Sequence, residues 1–583
     1  MIKRILSTLL FLLLLPVVAE AGPVTPERAT AVAERFLGGS ATKTGGRPLK
    51  LVWRGEKPAE AAAPEPAYYV FNAEGGGFVI VSGDDAVTPI LAYSHEGSFE
   101  TAGMPANLED WMEGLQTCIL SARAKGLKPT AEIAQAWRDA GEGAAAPAGA
   151  GEVEIETALW GQGEPFNRLC PEVDGGRSVT GCVATAISII MRHYKYPAAG
   201  HGVLPDYSYI TNKNHSRTQE GHALGETYQW DRMPLKYSLG VYSDVEAEAV
   251  ARLMFDVGIM MEMMYNPTGS GAYTHVAGER LVKYMDYDAT ARMLEKGYFS
   301  TEEWMEMVKA EIDAGRPLLY SGYGLEGGHA FVADGYNLDG YIHFNWGWSG
   351  RNNGYFAITD VDGFSENNLA VFHLIPNAGS EAQNGVPGYS DISKNGTITR
   401  NKTFAVKVDD FVASGTSFTG YVAIGKYNYA DELQELISNL SKITNLGVLD
   451  YQVKCFACTI TTPISPGDYL QLCYTDTLDN PWLPAAFNAD YDGNRTIPLV
   501  TADTIRENTA LHYDRSTRVL TLVSECKGLS CTLTHEDGTD YSYAIQKDAS
   551  GSTFTVNTKP FPYGNYTLTL TYGSSISVLN LAL

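Results

Sequence analysis

The change in hydrophobic period near Asn377 constrains this chain more than any other feature. Before it, apolar residues recur at both helical and strand spacing. After it come short alternating segments between turns, such as Phe404-Ala-Val-Lys-Val, Tyr421-Val-Ala-Ile, Tyr469-Leu-Gln-Leu, Val519-Leu-Thr-Leu and Tyr566-Thr-Leu-Thr-Leu. Period-two alternation gives a strand one apolar face and one wet face, so these segments must pack as sheets face to face. Gly467-Asp-Tyr469 and Gly564-Asn-Tyr566 open strands in the same way. They lie about one β-sandwich apart, roughly 100 residues. Two sandwiches are therefore expected, over 377–505 and 506–583.

The upstream part is α+β. Pro26 to Leu37 places Ala29, Val32, Ala33 and Phe36 on one helical face, and Asn107 to Ala124 does the same with Leu108, Trp111, Leu115 and Ile119. Tyr68–Phe71 and Gly77–Val81 read as strands around a Gly-rich turn. Residues 22–139 thus form a small α+β domain. Residues 140–154 open with a run of Ala, Gly, Pro and Glu that cannot bury a core and reads as an exposed linker, a good site for proteolysis. In 155–376 helices come first (180–194, 245–264, 300–314) and strands follow (318–320, 330–333, 341–345, 355–358), the order of an α+β domain with segregated layers.

With 583 residues, several domains are expected in any case. The net charge of −25 argues against a nucleic-acid binder, which would carry a basic face. Lys3 and Arg4 precede an apolar run from Ile5 to Val18, then Ala19-Glu-Ala21. That is the pattern of a signal peptide, residues 1–21, with cleavage near Ala21 and release to the exterior or cell surface. The run is shorter than the roughly 20 residues a membrane span needs. Of eight cysteines, five follow residue 450. Cys455-Phe-Ala-Cys458 has redox or zinc spacing but no second ligand pair, so a local disulfide or buried thiols are expected and no metal. Asn488-Ala-Asp-Tyr-Asp-Gly493 begins like a calcium loop, but Leu499 stands where the closing acid belongs, which leaves a solvated Asx-rich turn.

Cys182 stands in a different context. Gly181-Cys182-Val-Ala-Thr-Ala puts it in the first turn of an apolar helix, where a thiolate is favoured. A buried structural Cys explains that motif equally well alone. His329, 147 residues later, follows Gly327-Gly328 at the head of an apolar strand, as an imidazole facing a cleft would. His343-Phe-Asn345-Trp-Gly-Trp puts an amide where it can hold an imidazole, with Trp346 and Trp348 shielding the bond. Gln162 can donate to an oxyanion with the Cys182 backbone N–H.

Taken in order, Trp160-x-Gln162, Asn167-x-x-Cys170-Pro, Gly181-Cys182-Val-Ala-Thr-Ala, Tyr194-x-Tyr-Pro197, Gly328-His329-Ala and Asn345-Trp-Gly-Trp-x-Gly350 resemble the streptopain family of secreted bacterial cysteine peptidases. Gly77-Phe-Val-Ile-Val-Ser-Gly83, Ile90-Leu-Ala-Tyr-Ser94 and Pro105-x-Asn-Leu-x-x-Trp111 resemble that family's propeptide. The resemblance spans roughly 23–376. It implies a papain-like fold, a zymogen cut in the linker, and its own propeptide as inhibitor. It implies Cys182 and His329 as the catalytic pair, Gln162 as oxyanion donor and Asn345-Trp346 as the orienting element. Ser270-Gly271-Ala272, with Gly328, would line the substrate cleft. The function expected is protein or peptide hydrolysis without a cofactor. The rival readings are an adhesive or binding protein acting through the β-rich tail, and another Cys-His amidase such as a cell-wall hydrolase. Neither substrate preference nor oligomeric state is legible.

Overall fold

A computed structural model describes residues 22–38, 48–55, 65–104, 106–142, 151–238, 241–324, 327–358, 368–396, 398–465, 467–491, 493–499, 505–506, 509–524, 529–548, 553–572 and 575–583. The expected signal peptide, most of the Ala/Gly-rich linker and Cys526 lie outside these residues.

The helices are α1 (Pro26–Gly38), α2 (Ala106–Lys125), α3 (Ala131–Glu142), α4 (Cys182–Tyr194), α5 (Asp244–Met260), α6 (Ala277–Met285) and α7 (Thr301–Asp313). Capping explains two of the starts. Ser243 and Ser300 each accept from the backbone N–H three residues on, and Glu246 and Glu303 reach back to the cap. The α3 helix runs three residues into the stretch read as linker.

The upstream half is organised by one sheet of 11 strands. Four strands of the N-terminal region, ending with Ile90–Ser94, continue edge to edge into Gly354–Ala357, Tyr341–Asn345, Gly327–Tyr336 and Leu318–Gly324. The joint is antiparallel, with Tyr93 opposite Tyr355 and Ala92 opposite Phe356. The two α+β regions expected from sequence therefore share their backbone hydrogen bonding. One sheet face packs on α4 and α5 through Ala330 and Val332, and the other packs on α2 and α7 through Phe331 and Ala333.

The β-rich tail folds as face-packed, mainly antiparallel sheets, with Val386–Tyr389 and Ala486–Phe487 paired in parallel, in two sets whose apolar faces form a continuous core. It refines the expectation at two motifs. Cys455 is exposed and Cys458 buried on the strand Gln452–Thr459, because residues three apart in a strand face opposite ways. All described cysteines are free thiols, so of the two expected alternatives the local disulfide does not form, and the buried-thiol reading holds for Cys458 but not for exposed Cys455. The Asn488 turn is the expected Asx turn, with the Asp490 N–H on Asn488 Oδ1 at 3.1 Å and Ala489 and Tyr491 exposed, but its first residue is turned inward. Asn488 is buried and donates to Glu295 Oε2 at 3.2 Å, while the Ala489 N–H donates to the Gly297 carbonyl at 2.7 Å. This loop docks the tail on the upstream domain.

Candidate active site

Helix α4 starts at Cys182 because Gly181 breaks the chain direction with φ 85°. A Cβ there would sit 2.6 Å from Met263 Sδ and 2.8 Å from the Ser270 carbonyl oxygen, so only glycine allows the approach. The first turn then aims the thiol along its free N–H groups. Cys182 Sγ lies 3.9 Å from His329 Nδ1, and the Ala330 N–H donates to it at 3.4 Å. Burial pushes the Cys182 thiol up. The His329 contact and the N–H groups of Ala330 and Val183 outweigh burial, leaving the pKa below its ordinary value.

The other nitrogen of His329 meets a residue the sequence reading did not single out. Nε2 lies 3.0 Å from Asp110 Oδ2, on helix α2 of the N-terminal region. Burial pulls His329 down, but Asp110 and Cys182 override it and push it up to about 10. The carboxylate is carried in by its neighbour. Trp111 packs edge-on against Phe331, Phe344, Trp346 and Phe356, with ring centroids 5.1–6.1 Å apart. Arg351 adds bonds to the carbonyls of Ala102 and Gly103 and an ion pair with Glu100 at 2.7 Å.

Asn345 is fully buried, but its amide donates to Thr157 Oγ and the Ala158 carbonyl, both at 3.0 Å, rather than engaging His329. No hydrogen bond joins Asn345 to His329, whose Nε2 faces Asp110 instead. Trp346 is buried, donates to the Asn352 carbonyl at 3.0 Å and packs tilted against Phe331, with ring centroids 4.6 Å apart. Gln162 is buried, and its carbonyl accepts from the Thr180 N–H at 3.1 Å, which seats this loop beside the start of α4. Ser270 has a structural task. Its hydroxyl donates to the Val179 carbonyl at 2.7 Å and accepts from the Asn266 N–H at 2.9 Å. Gly271 bridges Met264, and Ala272 packs against the core, so this loop walls the N-terminus of α4 through its backbone. Gly328 lies opposite Tyr323 in the sheet, one residue before His329.

Among the described residues no group of three or more His, Cys, Asp or Glu side chains is placed to hold a metal ion. None of the described helices is long and apolar enough to cross a membrane.

The peptidase C10 family model matches residues 160–356, and the Spi protease inhibitor model matches residues 21–119. Streptopain of Streptococcus pyogenes serotype M1 is 33% identical over 307 residues, 50% of this chain and 73% of its own length. This chain belongs to the peptidase C10 family. Another relative of this C10 chain is the thiol protease/hemagglutinin PrtT of Porphyromonas gingivalis, 33% identical over 405 residues. That match covers 66% of this chain but only 45% of PrtT, so the chain spans less than half the length of that relative. Among solved structures, prointerpain A of Prevotella intermedia is 28% identical, with a TM-score of 0.44, covering 56% of this chain and 99% of that one.

The C10 chain thus carries an α+β, papain-like cysteine-peptidase domain, an inhibitor-type domain before it and a β-rich region after it. Asp110 was missed because it stands at a position that the motif Pro105-x-Asn-Leu-x-x-Trp111 leaves unspecified, and nothing local shows where a helical carboxylate will point. Asp334 left a faint signal as a lone acid ending the apolar run Ala330-Phe-Val-Ala333.

Proposed function

We propose that this chain is an exported cysteine endopeptidase made as a zymogen, with residues 22–139 as its intramolecular inhibitor and Cys182 as its nucleophile. The Cys182–His329 contact at a helix start carries the reading. A thiol held below its ordinary pKa beside an imidazole held above its own is an ion pair ready to attack a carbonyl. The thiolate adds to the scissile peptide carbonyl. Gln162 and the Cys182 N–H take the oxyanion, His329 protonates the leaving amine, and water then releases the acyl group.

In the precursor the propeptide opposes this at two points. Asp110 occupies the Nε2 side of His329, where Asn345 is expected to bind, and Trp111 covers the aromatic floor behind it. Cutting within 140–154 leaves α2 attached only by packing and by the shared sheet edge. The signal-peptide pattern of residues 1–21 supports export, and the family supports protein substrates.

The test is N-terminal sequencing and casein hydrolysis of purified wild-type and Cys182→Ala protein under reducing conditions, with peptidoglycan as the rival substrate. The wild type should appear cut within the linker and digest casein, while Cys182→Ala stays full length and inert. Casein turnover by Cys182→Ala, or release from peptidoglycan alone, would overturn the proposal.

A further inference from the structure

Four buried side chains form one hydrogen-bonded chain behind the active site: His343, Asp334, Thr157 and Asn345. His343 Nδ1 donates to Asp334 Oδ1 at 2.6 Å. Thr157 Oγ donates to Asp334 Oδ2 at 2.5 Å and accepts from Asn345 Nδ2 at 3.0 Å. The other amide hydrogen of Asn345 goes to the Ala158 carbonyl at 3.0 Å. Thr157 belongs to the segment that joins the linker to Gln162. The segment is pinned to the His329 strand by pairing of Val153–Glu154 with Gly335–Tyr336 and by the Ile155 N–H on the Asp334 carbonyl at 2.7 Å.

The proton count decides which way the Asn345 amide points. A carbonyl can only accept, and Thr157 has one hydrogen, which it gives to Asp334. Both partners on this side of Asn345 therefore present lone pairs, and the amide must turn its NH2 toward them. Its Oδ1 faces away, takes the Gly347 N–H at 3.2 Å and keeps a second lone pair. A flipped amide would set oxygen against oxygen at Ala158 and lose two buried hydrogen bonds. It would also aim an N–H at a protonated imidazole.

On the reading of His329 as base, we propose that Thr157, Asp334 and His343 are positioning residues that lock the Asn345 amide so that Oδ1 accepts from His329 Nε2 once Asp110 has left. The lock exists before activation, so removing the propeptide exposes a preset acceptor rather than building one. The charged and titratable groups around it are Asp334, Glu154, Glu152 and Tyr355 beside His343, with Glu154 at 4.0 Å and the Tyr355 ring centroid at 4.9 Å, and Asp110 and Cys182 beside His329.

The experiment compares Thr157→Val, Thr157→Ser, Asp334→Asn and Cys182→Ala, each expressed as the full chain and processed by a trace of wild-type enzyme. Active sites are titrated with an irreversible thiol reagent, and kcat, KM and the pH profile are measured per titrated site. Thr157→Val should lower kcat about 10–100-fold with KM within about twofold, the scale of a misplaced catalytic group. The alkaline limb of kcat/KM should move to lower pH, because the imidazolium loses its acceptor. Thr157→Ser should stay within about threefold of wild type, a smaller loss than one misplaced group causes. If Thr157→Val does not fold, Asp334→Asn replaces it and should show the same shift of the alkaline limb. A wild-type kcat and alkaline limb in Thr157→Val, or a Thr157→Ser as impaired as Thr157→Val, would overturn the positioning role while Cys182→Ala stays inert. Turnover by Cys182→Ala would overturn the peptidase reading instead.

Discussion

Replacing Asp110 tests whether one propeptide carboxylate holds the peptidase latent. His329 rises from 6.5 to about 10 in the docked state, under the influence of Asp110 and Cys182 together. A rise of that size is worth about 4 kcal/mol at pH 7, and an equal share assigns about 2 kcal/mol to Asp110. With side-chain exposures of 23% and 12%, the pair is buried enough to keep most of that. About 2 kcal/mol corresponds to a roughly 30-fold larger open fraction of the precursor at pH 7. The stabilisation is complete below 6.5 and fades as pH rises through about 10, since a raised histidine gives its benefit only while protonated. Asp110→Asn keeps the shape and removes the charge. A short pulse of iodoacetamide on intact precursor reads the opening as alkylation of Cys182, with exposed Cys455 as internal reference. The ratio of Cys182 to Cys455 labelling should rise by roughly 30-fold at pH 7 in the variant. The gap should narrow toward pH 10 as wild type loses the pair. Equal labelling of the two proteins at pH 7 would refute the reasoning.

Truncating Trp111 to Ala should cost the precursor about 3 kcal/mol, seen as a lower melting temperature, and leave the processed enzyme unchanged because Trp111 departs with the propeptide. Glu295, which receives the Asn488 amide at the tail interface, is pushed up to about 7 by burial and by Asp490. That contribution is complete below 4.5 and lost as pH rises through 7, so Glu295→Gln should stabilise the protein at pH 8 by about 2–3 kcal/mol and leave it unchanged near pH 4.5. Mass mapping after native alkylation should find Cys455 modified and Cys458 protected, with no change of melting temperature on adding reductant.

The elements that carry chemistry were legible because their signals are local. Cys182 begins an apolar helix just after a glycine, and a helix start needs only short-range sequence. His329 and Asn345 sit on strands whose apolar runs are plain, and the propeptide helix showed its buried face in Leu108, Leu115 and Ile119. The tail's strand character followed from alternation alone. The linker reading erred by three residues, since Gly141 and Glu142 give no stop signal strong enough to end α3 against its packed face.

What the chain order could not show was which groups meet across long separations. Asp110 and His329 are brought together because the propeptide sheet continues through Tyr93 and Tyr355 into the peptidase sheet, which sets α2 over the cleft. Thr157, Asp334, His343 and Asn345 converge because one short strand is added beside the His329 strand. Cys455 and Cys458 looked like a pair by spacing and were separated by the two-residue period of their strand. Sequence determined the candidate thiol and imidazole, Cys182 and His329, and the layers that carry them, because helix starts and strand faces are written in neighbouring residues. Only the tertiary structure decided which partner holds each nitrogen of His329 and which way Asn345 faces. Hydrogen bonds act over about 3 Å, and folding alone brings residues distant in the chain within that range.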